Sequence, residues 1–120
     1  MDIFGEIRES LTEILDIEAQ EITPETYVVR DLDAESIDLL ELSVALNSRF
    51  KVEVNDDEIY LKGLRSCMNG ANGDAGKRIV GEFPFLSHER AGEILTDLEG
   101  GPVLKVKDLI SYVAWRIGNN

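Results

Sequence analysis

The stretch from Asp31 to Leu42 reads DLDAESIDLLEL, and it places a single serine, Ser36, among five acidic residues. Apolar residues follow at helical spacing as far as Phe50. A serine in acidic surroundings just ahead of an apolar periodic run is typical of a helix N-terminus, where side-chain oxygens satisfy free backbone N–H groups. An isolated serine at such a position is usually a helix cap without another role. The sequence therefore predicts a helix from near Ser36 to near Phe50.

This helix carries apolar residues on two sides. At about 100° per residue, one narrow stripe contains Leu39, Leu42, Leu46 and Phe50. A second stripe, about 150° away around the helix, contains Ile37, Leu40 and Val44. A small bundle needs one apolar stripe for its core. Asp38 and Glu41 flank the second stripe, so we expect that stripe to meet a partner protein.

The flanking sequence predicts further helices. Apolar residues at steps of three and four predict a first helix over residues 3–15, with Asp2 as its cap. Pro24 begins a loop, and Asn55 can cap a short helical turn that runs into Ile59. The clearest periodicity predicts a last helix from Val106 to Ile117, which Gly118 closes.

The region between these helices is less regular. Residues 62–83 are rich in glycine and asparagine and predict a mobile loop, and a short helix is expected over residues 89–98, before Gly100-Gly101-Pro102. We expect one domain over residues 1–120 with an insertion at about 61–102. The predicted fold class is all-α: a small bundle of three main helices plus a short one, with an inserted loop and one extra short helix.

Charge is distributed unevenly along the chain. The net charge is −12, and it is −13 over residues 1–60 against +1 over residues 61–120. Basic protein surfaces are therefore expected as partners, and nucleic acid is not. An acidic surface that only keeps a small protein in solution is the simpler alternative. The short apolar runs predict no membrane span. The single cysteine predicts a reducing, cytoplasmic compartment. We expect the protein to be a monomer.

The stretch around Ser36 resembles the attachment site of the acyl carrier protein family. The family signature is an Asp-Leu-Gly-Ala/Met-Asp-Ser-Leu-Asp/Glu run that enters the second helix. The residues in register with the family pattern are Asp31-Leu32, Ala34, Ser36, Asp38, Glu41-Leu42, Ala45-Leu46 and Phe50. Residues 22–26 and 106–113 also resemble the family, so the resemblance covers residues 1–60 and 103–117.

The chain departs from the family pattern at a few positions. Asp33 replaces the signature glycine, Glu35 the aspartate and Ile37 the leucine. The second half of the family's second helix carries more acid, where this chain reads Asn47-Ser48-Arg49. The insertion at about 61–102 is longer than the short helix and loop of the common form.

The resemblance implies a function. Ser36 would carry a covalent 4'-phosphopantetheine arm, whose terminal thiol holds acyl groups as thioesters in fatty acid, lipid or polyketide-type biosynthesis. The partners would be a phosphopantetheinyl transferase and acyl-processing enzymes with basic docking surfaces. The expected docking face contains Glu35, Ile37, Asp38, Leu40, Glu41 and Val44. The expected cleft for the acyl chain contains Leu39, Leu42, Leu46, Phe50, Ile59, Leu109 and Val113.

Three alternatives remain open at this stage. A peptidyl or aminoacyl carrier would use the same serine, and an acidic interaction module would carry no prosthetic group. Asp31, Asp33 and Glu35 match the first ligand positions of a calcium-binding EF-hand loop, but Leu42 stands where the bidentate acid is required. We therefore expect no metal. One histidine and one cysteine offer no obvious nucleophile and base pair, so we expect no enzymatic activity.

Overall fold

The computed structural model describes residues 2–64 and 75–118, and this part of the chain is helical. The α-helices are α1 Ile3–Leu15, α2 Ser36–Phe50, α3 Asp56–Ile59, α4 Ala75–Glu82, α5 His88–Asp97 and α6 Val106–Gly118. Single 3-10 turns cover Ala19–Glu21 and Leu98–Gly100. Within the described ranges, the only β-type pairing is an isolated antiparallel bridge between Tyr27 and Lys105. The predicted all-α fold is confirmed.

Capping side chains set the starts of two helices where the sequence predicts them. The Asp2 carboxylate accepts a hydrogen bond from the backbone N–H of Gly5 at 3.0 Å, which begins α1. The Asn55 side chain accepts from the N–H of Asp57 at 2.9 Å and from that of Glu58 at 3.3 Å, which begins α3. Each cap satisfies N–H groups that have no partner within their own helix.

The core lies between α1, α2 and α6. α1 packs against both α2 and α6, and α3 packs against α6. Only one of the two apolar stripes of α2 faces this core. The fully buried side chains at its centre are Ile7, Leu11, Leu42, Leu46, Leu109, Tyr112 and Val113.

Part of the region between α3 and α6 is helical where the sequence predicts a loop. Residues 62–83 were expected to form a mobile loop, but α4 occupies Ala75–Glu82; residues 65–74 lie outside the described part. Ile79 and Phe83, one helical turn apart, are both buried. Gly76 and Gly81 interrupt the apolar pattern of this short helix, so the spacing of apolar residues does not predict it. α4 packs against α5, the helix expected at residues 89–98.

A buried ion pair joins α5 to α6. Arg90 donates from Nε and Nη2 to the two carboxylate oxygens of Asp108, both at 2.8 Å, and from Nη2 to the carbonyl of Val103 at 2.7 Å. Burial opposes the charge on Arg90, but the hydrogen bond and the charge of Asp108 outweigh it and raise the pKa of the guanidinium. The guanidinium therefore stays charged, and its bonds to Asp108 fix α5 against the start of α6.

Removing one member of this pair should destabilise the fold strongly. Asp108→Ala is expected to lower the free energy of unfolding by about 3–5 kcal/mol, because it removes the buried carboxylate that binds the Arg90 guanidinium and leaves only the longer 3.4 Å ion pair with Glu93. Urea denaturation followed by circular dichroism measures this change. The exposed carboxylate of Glu82 supplies the control, since Glu82→Ala should change stability by no more than about 0.5 kcal/mol.

A double variant separates charge from packing. Arg90→Met combined with Asp108→Leu should regain much of the lost stability, since apolar residues of similar volume often replace a buried ion pair without loss. If the double variant is as unstable as Asp108→Ala, the charge left on Arg90 is not the cause of the lost stability.

Candidate attachment site at the start of α2

Ser36 occupies the first position of α2 and is exposed. Ser36 does not itself cap the helix, as an isolated serine at such a position usually would, because Glu35 takes the N-cap position in an extended conformation. The carboxylate of Asp38 closes this cap by accepting a hydrogen bond from the N–H of Glu35 at 2.8 Å. Since other residues cap the helix, the Ser36 hydroxyl is available for chemistry.

The loop before α2 is held by its own backbone and by the segment before α6. The carboxylate of Asp31 accepts a hydrogen bond from the N–H of Tyr27 at 2.9 Å. The N–H of Val28 donates to the carbonyl of Leu104 at 3.0 Å, and the N–H of Ala34 donates to the carbonyl of Val28 at 3.3 Å. These bonds fix the loop and thereby the direction in which the chain enters α2.

The backbone conformation of Asp33 shows how the chain accommodates the replacement of the signature glycine. The Asp33 backbone is left-handed, with a φ of 58°. Glycine adopts this conformation without strain, and aspartate tolerates it better than most other residues. The loop therefore keeps a conformation suited to the signature glycine, although the side chain has changed.

The surroundings of Ser36 fit a covalently attached phosphodiester. The first turn of a helix carries backbone N–H groups without helical partners and the positive end of the helix dipole, which together favour an anion. The hydroxyl that would carry the group is exposed, and the cap made by Glu35 and Asp38 does not require it. The residues present can therefore hold a phosphopantetheine arm.

The predicted docking residues form an uncovered surface beside Ser36. Ile37, Leu40 and Val44 are 61%, 57% and 70% exposed, which is high for large apolar side chains. Three acidic residues were predicted for this surface. Glu35 and Glu41 are exposed, and Asp38 is half-buried. A hollow of about 300 Å³ lies next to Leu40 and Val44.

The predicted cleft residues lie mostly elsewhere. Only Leu39 lines an open pocket, which has a volume of about 490 Å³. The other six are buried in the core cluster and do not line that pocket: Leu42, Leu46, Phe50, Ile59, Leu109 and Val113. A helical stripe shows which residues turn inward, but a pocket also depends on how other segments pack against them.

The pocket is formed largely by residues that sequence reasoning missed. Leu39 and Val29 provide one side, and the chain after α3 and the segment from Leu98 to Leu104 provide much of the rest. Tyr60 lines the pocket as well, and its hydroxyl donates to the carbonyl of Leu39 at 2.6 Å and lies 2.8 Å from Ser43 Oγ. Burial raises the pKa of Tyr60, so the hydroxyl remains protonated. No sequence period marks these positions.

Three other observations concern the calcium-binding alternative and the expected absence of a membrane span. Within residues 2–64 and 75–118, no group of three histidine, cysteine or acidic residues is arranged to hold a metal ion. Asp31, a residue of the EF-hand alternative, instead accepts the hydrogen bond from Tyr27. No helix in the described ranges is both long enough and apolar enough to span a bilayer.

Comparison with known proteins gives consistent matches. Residues 5–65 match the family described as the phosphopantetheine attachment site. The acyl carrier protein of Helicobacter hepaticus is 38% identical over 58 residues, which are 48% of this chain and 76% of that protein. The acyl carrier protein of Wolinella succinogenes is 40% identical over 58 residues, with the same two shares. No solved structure matches the chain.

The left-handed conformation of Asp33 leads to a prediction about stability. Asp33→Val should lower the free energy of unfolding by about 1–2 kcal/mol relative to Asp33→Gly, because a β-branched residue is strained at positive φ. At Glu53, an exposed residue without positive φ, the same two substitutions should rank in the opposite order, since glycine there only adds unfolded-state entropy. Urea denaturation of the four variants measures both differences, and equal stabilities at position 33 would contradict the strain.

Proposed function

Because the chain belongs to the acyl carrier protein family, we propose that Ser36 bears the 4'-phosphopantetheine arm on which the family carries acyl groups. The observation that carries this proposal is an exposed serine hydroxyl at the first position of α2, inside the matched residues 5–65. The pathway we propose is fatty acid, lipid or polyketide-type biosynthesis. Members of the family are carriers and not catalysts, and we propose that this chain also has no catalytic activity.

Each residue around the arm would have a limited task. Ser36 would hold the phosphate through its Oγ, and the first-turn N–H groups of α2 would favour the negative charge. Asp38 would keep the helix start in place through its bond to Glu35. The arm itself supplies the thiol that forms the thioester, so the protein contributes position and recognition.

Mass spectrometry tests the attachment residue. The protein is incubated with coenzyme A and a broad-specificity phosphopantetheinyl transferase, and the adduct is located by peptide mapping. We expect one phosphopantetheine adduct, on Ser36, and none on the Ser36→Ala variant. Ser48 is exposed on the same helix, so Ser48→Ala is the control and should be modified like the parent. A modified Ser36→Ala protein, or an adduct on another serine, would overturn the proposal.

We also propose how partner enzymes bind. Glu35, Asp38 and Glu41 lie around the uncovered side of α2, in the half of the chain that has a net charge of −13. Long-range attraction between these acids and a basic surface would speed the encounter. The apolar side chains of Ile37, Leu40 and Val44 would then be buried against the partner, which slows dissociation.

The electrostatic and apolar contributions should separate in binding kinetics. Glu41→Lys should chiefly slow association with the transferase, and the defect should shrink as salt rises, because exposed charges are screened within about 10 Å at 0.1 M ionic strength. Val44→Ala should chiefly speed dissociation, with little dependence on salt, because it removes buried apolar area. Surface plasmon resonance at several salt concentrations measures both rates.

Two controls accompany this experiment. Glu99→Lys makes the same charge change at an exposed position of the insertion and should leave the association rate nearly unchanged. Thermal melting should be nearly unchanged for Glu41→Lys and Val44→Ala, because both side chains are exposed. If both variants melt well below the parent, these residues stabilise the fold and the proposed docking face is misplaced.

A further inference from the structure

An apolar pocket lies one helical turn from the attachment residue. Leu39 lines it and follows Ser36 by three residues, so both side chains lie on the same side of α2. The pocket volume of about 490 Å³ falls within the range of about 300–1,000 Å³ that small-molecule sites occupy. An acyl chain carried on an arm at Ser36 would therefore find this pocket beside the residue that anchors the arm.

The chemistry of the walls restricts what can enter. Among the described residues that line the pocket, none is charged, and most are aliphatic: Val29, Leu39, Leu61, Leu64, Leu98, Pro102, Val103 and Leu104. The polar side chain there is Tyr60, and its hydroxyl is already bonded to the carbonyl of Leu39. A charged aminoacyl group or a peptide would lose its hydration here without gaining a partner. An aliphatic acyl chain has no polar groups that need such a partner, so it could enter the pocket without this cost.

One side of the pocket belongs to the inserted segment, and a single arginine holds it. Arg30 lies in the loop before α2 and donates from Nη1 to the Asp97 carboxylate at 2.9 Å. Its Nη2 donates to the carbonyl of Asp97 at 2.9 Å and to that of Gly101 at 3.0 Å. One guanidinium thus joins both ends of the turn from Asp97 to Gly101. Leu98 and Pro102, within and just after this turn, line the pocket.

The turn fits closely against Arg30. A Cβ atom on Gly100 would lie 3.0 Å from Arg30 Nη1, and Gly101 has a φ of 113°, which side chains other than glycine rarely adopt. The ring of Tyr27 lies under the guanidinium with 4.2 Å between its centroid and Arg30 Cζ. The Tyr27 hydroxyl also donates to the second carboxylate oxygen of Asp97. The wall is therefore held by directional bonds as well as by apolar contact.

We propose that the segment from Leu98 to Leu104, where the insertion joins the start of α6, forms a wall that limits the length of the acyl chain sheltered beside Ser36, and that Arg30 and Asp97 position this wall. The inference rests on the proposed function, because the acyl chain must be carried on an arm that is attached at Ser36. Its cargo is then an aliphatic acyl group. Each further methylene that enters the pocket should favour the sheltered state by up to about fourfold. Methylenes that reach beyond the wall should not favour the sheltered state any further.

The test is a length series on the intact protein. The transferase loads butyryl-, octanoyl-, lauroyl- or palmitoyl-phosphopantetheine from the corresponding coenzyme A thioester. Hydroxylamine cleavage of the thioester, relative to free acyl-coenzyme A, reports how well each chain is sheltered. We expect protection to rise with chain length and then level off. Protection that is the same for every length would overturn the inference, and this comparison requires no variant.

Two variants identify the wall. Leu98→Trp narrows the pocket and should reduce protection of the longer chains at least tenfold, and Leu95→Trp is the control, because Leu95 lies on α5 and does not line the pocket. Arg30→Gln should weaken the length limit, and Arg8→Gln is its control, since Arg8 also lies over an aromatic ring, that of Phe4. Unchanged length profiles in both Leu98→Trp and Arg30→Gln would overturn the role of the inserted wall.

Loading and protection distinguish the two proposals. If no chain is loaded on Ser36, the proposed function fails, and this inference fails with it. If Ser36 is loaded and all chains are cleaved at the rate of free acyl-coenzyme A, only the inference fails. Thermal melting of each unloaded variant confirms that the pocket, and not the whole fold, has changed.

Discussion

α2 has apolar side chains on two sides, and the bundle can bury only one of them. Leu42 and Leu46 enter the core between α1 and α6, so the opposite stripe with Ile37 and Val44 remains in water. A large aliphatic side chain that stays exposed forgoes about 1.5–3 kcal/mol of burial free energy. Contiguous exposed apolar residues beside the serine proposed to carry the arm support the proposal that a partner buries them. The orientation that exposes this stripe also places Leu39 beside the pocket.

α5 and the turn that follows it are fixed by charge as well as by apolar packing. Arg90 and Asp108 form a fully hydrogen-bonded pair between α5 and α6. Arg30 and Asp97 join the loop before α2 to the end of α5. The hydrogen bond from Tyr27, followed by that from Arg30, lowers the pKa of Asp97, so this carboxylate is ionised at neutral pH. Such bonds have defined directions, and they hold α5 and the turn after it in one position beside the pocket, where apolar contact alone would permit sliding.

Local signals in the sequence predicted most of the main bundle. Asp2 and Asn55 cap α1 and α3 as expected, and the spacing of apolar residues predicted α2 and α6. These features depend on residues within a few positions of one another. α4 was missed because glycines interrupt its short apolar face. The N-cap of α2 lies one residue earlier than expected, since Glu35 and Asp38 form a cap that leaves Ser36 free.

The pocket could not be predicted, because it depends on contacts between distant segments. The bond between Arg30 and Asp97 joins residues 67 positions apart, and no local pattern indicates such a pair. The stripe of α2 correctly indicated which side chains turn inward. It could not show that Leu42 and Leu46 would be closed off while Leu39 would face open space. That difference arises only when the inserted segment packs beside α2.

The charge pattern of the helices concentrates attraction near Ser36. Arg49 lies near the end of α2 and pairs with acids of α1, at 2.7 Å from Glu6 and 3.5 Å from Glu13. This arginine stands where the family's second helix carries more acid, and it offsets negative charge at that end of α2. The acids of the proposed docking face lie on the first turns of the helix, around Ser36. Since attraction in salt solution falls off over about 10 Å, a basic partner surface would be drawn to the proposed attachment residue rather than along the whole helix.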